Sequence, residues 1–168
     1  ALVHTPYNST APNTATRGRF NPFMFKGTIF STGGYSAEYG QALSSVLLLN
    51  TNDLPEQNQL DLSFLTIGPE IALTRLWNRG AVTATASYNN LGPYMKLVPQ
   101  NYEWKHAPES ASGAVSIRQK SGKSGLLKIY SSYDKGSFSL LQEDLDQNKN
   151  IDYNLHNSNF FVNTSYRN

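Results

Sequence analysis

From Ala81 to Asn89 the chain alternates without a break. Val82, Ala84, Ala86 and Tyr88 fall on one side, and Thr83, Thr85, Ser87 and Asn89 on the other. Strict period two over this length predicts a β-strand with one apolar and one polar face. Shorter versions recur at Leu60–Leu62–Phe64, at Val115–Ile117 against Ser116–Arg118–Lys120, at Leu127–Ile129 and at Phe160–Val162–Thr164–Tyr166. Between them lie turn signals: Gly68-Pro69, Asn78-Arg79-Gly80, Ser121 to Gly125, and Lys135-Gly136. Runs and turns together predict an antiparallel meander of about seven hairpin-connected strands.

Before residue 60 the pattern is different. Residues 1–27 carry Pro6, Pro12, Gly18 and Pro22 without a sustained period, which reads as loop with one short strand at Phe23 to Phe25. Thr28 to Ser31 is a second short strand, punctuated by Gly33-Gly34. Ser36 to Gly40 suits one helical turn, with Ser36 as its cap and Gly40 as its stop. Val46, Leu47, Leu48 and Leu49 run without alternation, so Ser45 to Thr51 reads as a strand buried on both sides. The polar stretch Asn52 to Gln59, with Pro55, is the natural boundary between two parts, 1–55 and 56–168.

Composition narrows the class. Charged residues are only 15% while aromatics reach 12%, with ten Tyr and eight Phe, a balance that favours strands over helices. No apolar run approaches the length of a membrane-spanning helix, but a spanning β-strand needs only about 9–11 residues, half of them polar. A net charge of +2 with scattered Lys and Arg argues against nucleic acid. With no Cys there is neither a disulfide framework nor a thiolate metal site. The chain opens without Met or a signal sequence and stops within the strand-like run Phe160 to Arg167, which predicts a segment of a longer chain. A soluble sandwich and a membrane barrel both alternate. Aromatics at strand ends (Trp77, Tyr88, Tyr133, Tyr166) and small uncharged polar faces lean towards the barrel.

The stretch Gly33-Gly34-Tyr35-Ser36-Ala37-Glu38-Tyr39-Gly40-Gln41-Ala42-Leu43-Ser44-Ser45-Val46-Leu47-Leu48-Leu49-Asn50-Thr51 resembles the closing segment of the plug domain in TonB-dependent outer-membrane receptors. Its core is Gly34, Ala37, Glu38, Tyr39 and Gly40, followed by a small pair, an apolar strand and a Thr. Arg17-Gly18-Arg19-Phe20 and Phe25-Lys26-Gly27 also look like plug segments of that family. One departure is Ser44-Ser45, where the family commonly has Ser-Gly.

The resemblance implies a mainly β chain. Residues 1–55 would be the C-terminal part of a plug domain, and 56–168 the first antiparallel strands of an incomplete transmembrane β-barrel. It further implies residence in the bacterial outer membrane and energy-coupled uptake of a scarce nutrient: a siderophore, cobalamin, glycan or peptide. The partners it implies are a TonB-type energy-coupling protein in the periplasm, the transported ligand, outer-membrane lipid and a surface lipoprotein. It implies no cofactor and no covalent chemistry. The rival from a different class is a soluble β-sandwich that binds glycans.

Other chemistries find little support. Gly122-Lys123-Ser124 lacks the Gly five positions upstream that a phosphate loop needs, since Ile117 stands there, and reads as a hairpin turn. Asp144, Asp146 and Asn148 share the spacing of a calcium loop, but Lys149 and Leu155 occupy its Gly and Glu positions. His4, His106 and His156 are far apart, without carboxylate partners at ligand spacing, and no Gly-x-Ser-x-Gly elbow occurs. No enzyme is expected, nor a catalytic or metal-binding residue.

The candidate ligand-binding residues are Tyr102, Trp104 and His106, read as part of a long polar loop from Gly92 to Ser110 whose rings stack on a planar ligand. Counting turns from a first strand that rises from the periplasm puts this loop outside. The same count makes Gly68-Pro69 and Lys135-Gly136 short outer turns and Glu143 to Asn157 a long inner one.

Overall fold

A computed structural model describes residues 20–34, 36–39, 45–98, 103–143 and 150–168. It is mainly β, and every strand pairing is antiparallel. A 3-10 turn, Pro22–Met24, leads into β1 (Phe25–Ser31), and a second, Ala37–Tyr39, precedes β2 (Val46–Thr51). β1 and β2 form a two-stranded sheet. The other six strands make one sheet in chain order: β3 (Gln59–Leu65), β4 (Gly68–Trp77), β5 (Gly80–Asn90), β6 (Glu103–Ser121), β7 (Gly125–Glu143) and β8 (Asn150–Arg167). Among the described residues there is one short α-helix, α1 (Gly92–Leu97), which starts at Gly92-Pro93, where Pro is tolerated because its missing N–H has no intrahelical partner. Among the described residues no strand joins β8 back to β3, so the sheet is open.

The meander is the one the alternation predicts, with corrections in the upper half of the sheet. Lys135-Gly136 is not a turn. Gly136 lies inside β7, opposite Ser110 on one side and Asn157 on the other. The long loop expected at Gly92–Ser110 is shorter, because β6 begins at Glu103. Likewise the loop expected to run from Glu143 to Asn157 gives way at Asn150 to β8. The calcium-like residues Asp144, Asp146 and Asn148 fall outside the described residues. The first turn sits at Thr66-Ile67, just before Gly68-Pro69. Gly68 has φ +151°, and a Cβ there would stand 1.9 Å from the Tyr88 carbonyl oxygen, so only Gly fits. The turns at Asn78-Arg79 and Gly122–Ser124 fall where the sequence places them, the second using Gly122 at φ +64°.

These revisions leave only tight turns at one end of the sheet. At one end of the sheet lie the two tight turns, β4–β5 and β6–β7, with Arg79 donating to the Gly122 carbonyl at 3.0 Å. At the other lie the β3–β4 turn and the longer β5–β6 and β7–β8 connections. Strand length grows across the sheet, from 7 residues in β3 to 18 or 19 in β6, β7 and β8. Pro108 interrupts β6 just past the last β5 rung, Asn90 opposite Glu109, and the β6–β7 register shifts there.

The two faces of the sheet are buried in the reverse of the usual sense. Cross-strand partners share a face, so each rung can be read across. Leu60, Leu73, Ala84, Val115, Ser131 and Val162 form one rung of the apolar face, and Leu62, Ile71, Ala86, Gly113, Tyr133 and Phe160 the next. This face is open: Phe64 is 82% exposed, Phe160 71% and Leu62 59%. The opposite face carries Thr83, Thr85, Ser116, Arg118, Ser132 and Asp134, all buried, with Ser116, Arg118 and Asp134 each at 2%. No second sheet covers the apolar face among the described residues.

Candidate functional site

The polar face is buried because the N-terminal segment lies on it. Phe20, Met24 and Phe25 enter an aromatic cluster with Ala114, Tyr130 and Phe161. The Phe25 and Tyr130 rings stand 5.6 Å apart, and Phe20 meets Phe161 edge-on at 6.1 Å. The Asn21 side-chain amide donates to the buried Glu70 carboxylate. β1 and β2 are themselves partly open. Val46 is buried, but Leu47, Ile29 and Phe30 are exposed, so β2 is not the doubly buried strand that its apolar run predicts.

Hydroxyls and amides satisfy one another along the polar face. Thr74 and Thr83 share a hydrogen bond of 3.0 Å across β4 and β5, Ser87 and Ser112 one of 2.8 Å across β5 and β6. The Asn159 amide donates to Asp134 at 2.8 Å. Such pairing is what makes a buried polar face tolerable.

At the tight-turn end this face becomes basic. Asp53, in the segment after β2, accepts hydrogen bonds from Lys128 at 2.8 Å and from Lys26, and Arg167 approaches to 3.9 Å. Lys128 also donates to the Thr51 carbonyl at 3.1 Å, and Arg118 Nη1 to the Asp53 carbonyl at 3.1 Å. The guanidinium donates in addition to the Thr83 hydroxyl. Hydrogen bonds from Lys128 and Lys26 hold the Asp53 carboxyl down to about 2.

Towards the long-connection end the same face turns aromatic. Trp104 pairs with Leu140 and meets Phe138 edge-on at 5.8 Å, against Leu155. Trp104 and His106 therefore stand in a strand, which corrects their expected place in a loop; Tyr102 lies outside the described residues. Trp104 is half-buried, whereas His106 is exposed and its Nε2 lies 3.3 Å from Glu109 Oε1. The two are not brought together as one stacking surface. Phe138 and Leu140, which do surround Trp104, went unnoticed in the sequence because the supposed Lys135-Gly136 turn hid them. Of the plug-like motif, Gly34 takes a left-handed conformation at φ +66°, and Ala37, Glu38 and Tyr39 form the 3-10 turn. Gly40 lies outside the described residues, as does His4. His156 stands opposite Ser137, and among the described residues no three His, Asp or Glu converge as metal ligands.

The apolar face has a vertical order. Trp77 and Tyr166 occupy the rung beside the tight turns, with Gly80, Gln119 and Leu127, and Trp77 donates from its indole to Gln119 at 2.9 Å. Tyr88 lies four rungs up, its hydroxyl donating to Glu109 at 3.2 Å. The eight-residue step from Gly80 to Tyr88 spans about 26 Å along the strand. Between these aromatics the face carries Val82, Ala84, Ala86, Val115, Ile117, Ile129 and Val162, with Arg75, Ser131 and Thr164 as polar members and Arg75 in the Val82 rung next to the Trp77 girdle. Tyr133 sits one rung below Tyr88 and well inside β7, not at a strand end.

Comparison with family models, with curated proteins and with solved structures finds no match to this chain.

Proposed function

We propose that the six-stranded sheet is part of the wall of a transmembrane β-barrel in the bacterial outer membrane, and that residues 20–55 are part of a plug seated on its inner face. In this reading the chain belongs to a TonB-dependent receptor and serves energy-coupled uptake of a scarce nutrient. A periplasmic coupling protein supplies the work, and the chain itself does no covalent chemistry.

The observation that carries the proposal is the reversed burial of the two faces. Nine large apolar side chains (Leu60, Leu62, Phe64, Ile71, Leu73, Val115, Ile117, Phe160, Val162) are exposed on one face. Full burial is worth about 1.5–3 kcal/mol for each, so leaving them half in water forgoes on the order of 10 kcal/mol. That is comparable with the whole net stability of an ordinary domain, about 5–15 kcal/mol. Lipid removes the penalty, and an inward polar face is what a plugged lumen accommodates.

Three further features agree. The apolar band ends in Trp77 and Tyr166 below and Tyr88 above, as girdles at two membrane interfaces require. Both longer connections, β5–β6 and β7–β8, lie at one end with the short β3–β4 turn, and the opposite end has only tight turns, as the periplasmic end of an outer-membrane barrel does. With Lys135-Gly136 inside a strand, the turn count no longer puts a long connection on the periplasmic side. The likeness of 33–51 to a plug-closing segment supplies the transport class. Under this orientation Trp104, Phe138, Leu140 and Leu155 line the outer mouth, where a cargo arrives.

The test is an antibody blot on fractionated source cells, with samples heated and unheated. The proposal expects the antigen in the outer membrane with a band that shifts on heating, as closed barrels do. A soluble antigen whose mobility ignores heating would instead favour the glycan-binding sandwich.

A further inference from the structure

The basic end of the polar face carries more positive charge than its surroundings balance. Arg118 and Lys128 are direct cross-strand partners on β6 and β7, and Arg167 follows on β8. Like charges placed directly opposite one another repel. Lys26 adds a fourth cation from β1. Among the described residues the recorded ion pairs of these cations run to one carboxylate, Asp53. Arg118 is 2% exposed, and its Nε is buried without a hydrogen-bond partner among the described residues. A buried guanidinium with an unused donor, beside a second cation, is built to accept an oxygen anion.

Asp53 meets the site as a ligand does. It reaches in from a polar segment outside the sheet and offers both its carboxylate and its main-chain carbonyl. Among the described residues Arg118, Lys128 and Arg167 have no recorded pair with an acid of the sheet; each reaches the incoming segment, and Arg118 also donates to Thr83.

We propose that Arg118, Lys128 and Arg167 form an oxyanion-binding site, and that Asp53 is its resident ligand in cis. A small carboxylate or phosphate competes with Asp53 for the site, and its binding loosens residues 51–55 from the sheet. The inference stands apart from the transport reading, because the same cations face Asp53, Arg118 at its carbonyl and Lys128 and Arg167 at its carboxylate, whatever covers the apolar face.

The test uses the full chain, with inorganic phosphate and acetate as separate probes, titrated by calorimetry at constant ionic strength in chloride. Asp53→Asn empties the site of its charge while keeping its shape. It is expected to bind phosphate at least tenfold more tightly than the parent, with Asp53→Asn/Lys128→Met returned to parental affinity. A gain for acetate as large as that for phosphate assigns the site to carboxylates; a gain for phosphate alone assigns it to phosphates. Lys26→Met, which removes one of the partners holding Asp53 and leaves the sheet untouched, is expected to give a smaller gain of twofold or more. It serves equally where Asp53→Asn does not fold. The proposal is overturned if neither single variant gains affinity for either anion, or if the double variant binds as tightly as Asp53→Asn.

Discussion

Two side chains one residue apart, Val115 and Ser116, hold the main point at the smallest scale. Ser116 is buried and Val115 is open, the reverse of what water alone would select. Ala84 lies in the same rung as Val115, near the middle of the apolar band. Ala84→Arg is therefore expected to cost about 2–4 kcal/mol in a membrane and to abolish assembly there, read by loss of the heat-modifiable band, while Ala84→Leu is tolerated. Gly68 makes a sharper local demand. With φ +151° and the Tyr88 carbonyl where a Cβ would go, Gly68→Ala should destabilise by at least about 2 kcal/mol, measured by denaturant titration. Asp53 sets a pH dependence. Its carboxyl is held down to about 2 in the folded chain, below its ordinary value, so it contributes stability above the ordinary value that is lost as pH falls through about 2. Because Asp53 is 40% exposed, the contribution after screening is about 1 kcal/mol. Urea midpoints of the parent and Asp53→Asn should therefore differ at pH 7 and converge below pH 2.

At the scale of elements, what could be read from the sequence depended on whether alternation kept one phase. β5 was legible because Val82, Ala84, Ala86 and Tyr88 stay on one side throughout. In β7 the phase reverses at Gly136: below it the odd position Tyr133 is on the apolar face, and above it the even positions Phe138 and Leu140 are the apolar ones. A reversal at a Lys-Gly pair looks like a turn, yet backbone pairing to Ser110 and Asn157 runs straight through it. The first half of β8 alternates as well, Ile151, Tyr153 and Leu155 against Asp152, Asn154 and His156, but in the opposite phase to Phe160, Val162 and Tyr166. Pairing with β7 runs through that change of phase without a break, which a single-strand pattern does not record. The candidate site suffered in the same way. Trp104 stands out in the sequence as an aromatic among polar residues, but its partners Phe138 and Leu140 are more than thirty positions away. Trp104→Ala should loosen this corner by about 1–2 kcal/mol, less than for a fully buried ring, and speed amide exchange at Phe138 to Leu141 while leaving β5 unchanged. Equal acceleration in β5 would contradict such a local role.

Across the whole molecule, two arrangements were beyond the reach of local pattern. One is the seating of Phe20, Met24 and Phe25 on the polar face, which no spacing announces. The other is the choice of face: alternation shows that two faces differ, and says nothing about which one is covered. Among the described residues β3, 7 residues long, and β8, 18 residues long, are the edges of the sheet, and the long edge of β8 is a template for further pairing of the kind a closed barrel supplies. The central claim, that the apolar face meets lipid, is tested most directly by spin-label accessibility. With no native Cys, single cysteines at Leu73, Val115 and Val162 and at Thr85, Ser116 and Asn163 can be labelled one at a time in the reconstituted protein. The account predicts that the first three are reached by oxygen dissolved in lipid and shielded from an aqueous nickel reagent, with the second three shielded from oxygen. Nickel accessibility at Leu73, Val115 and Val162 would contradict it.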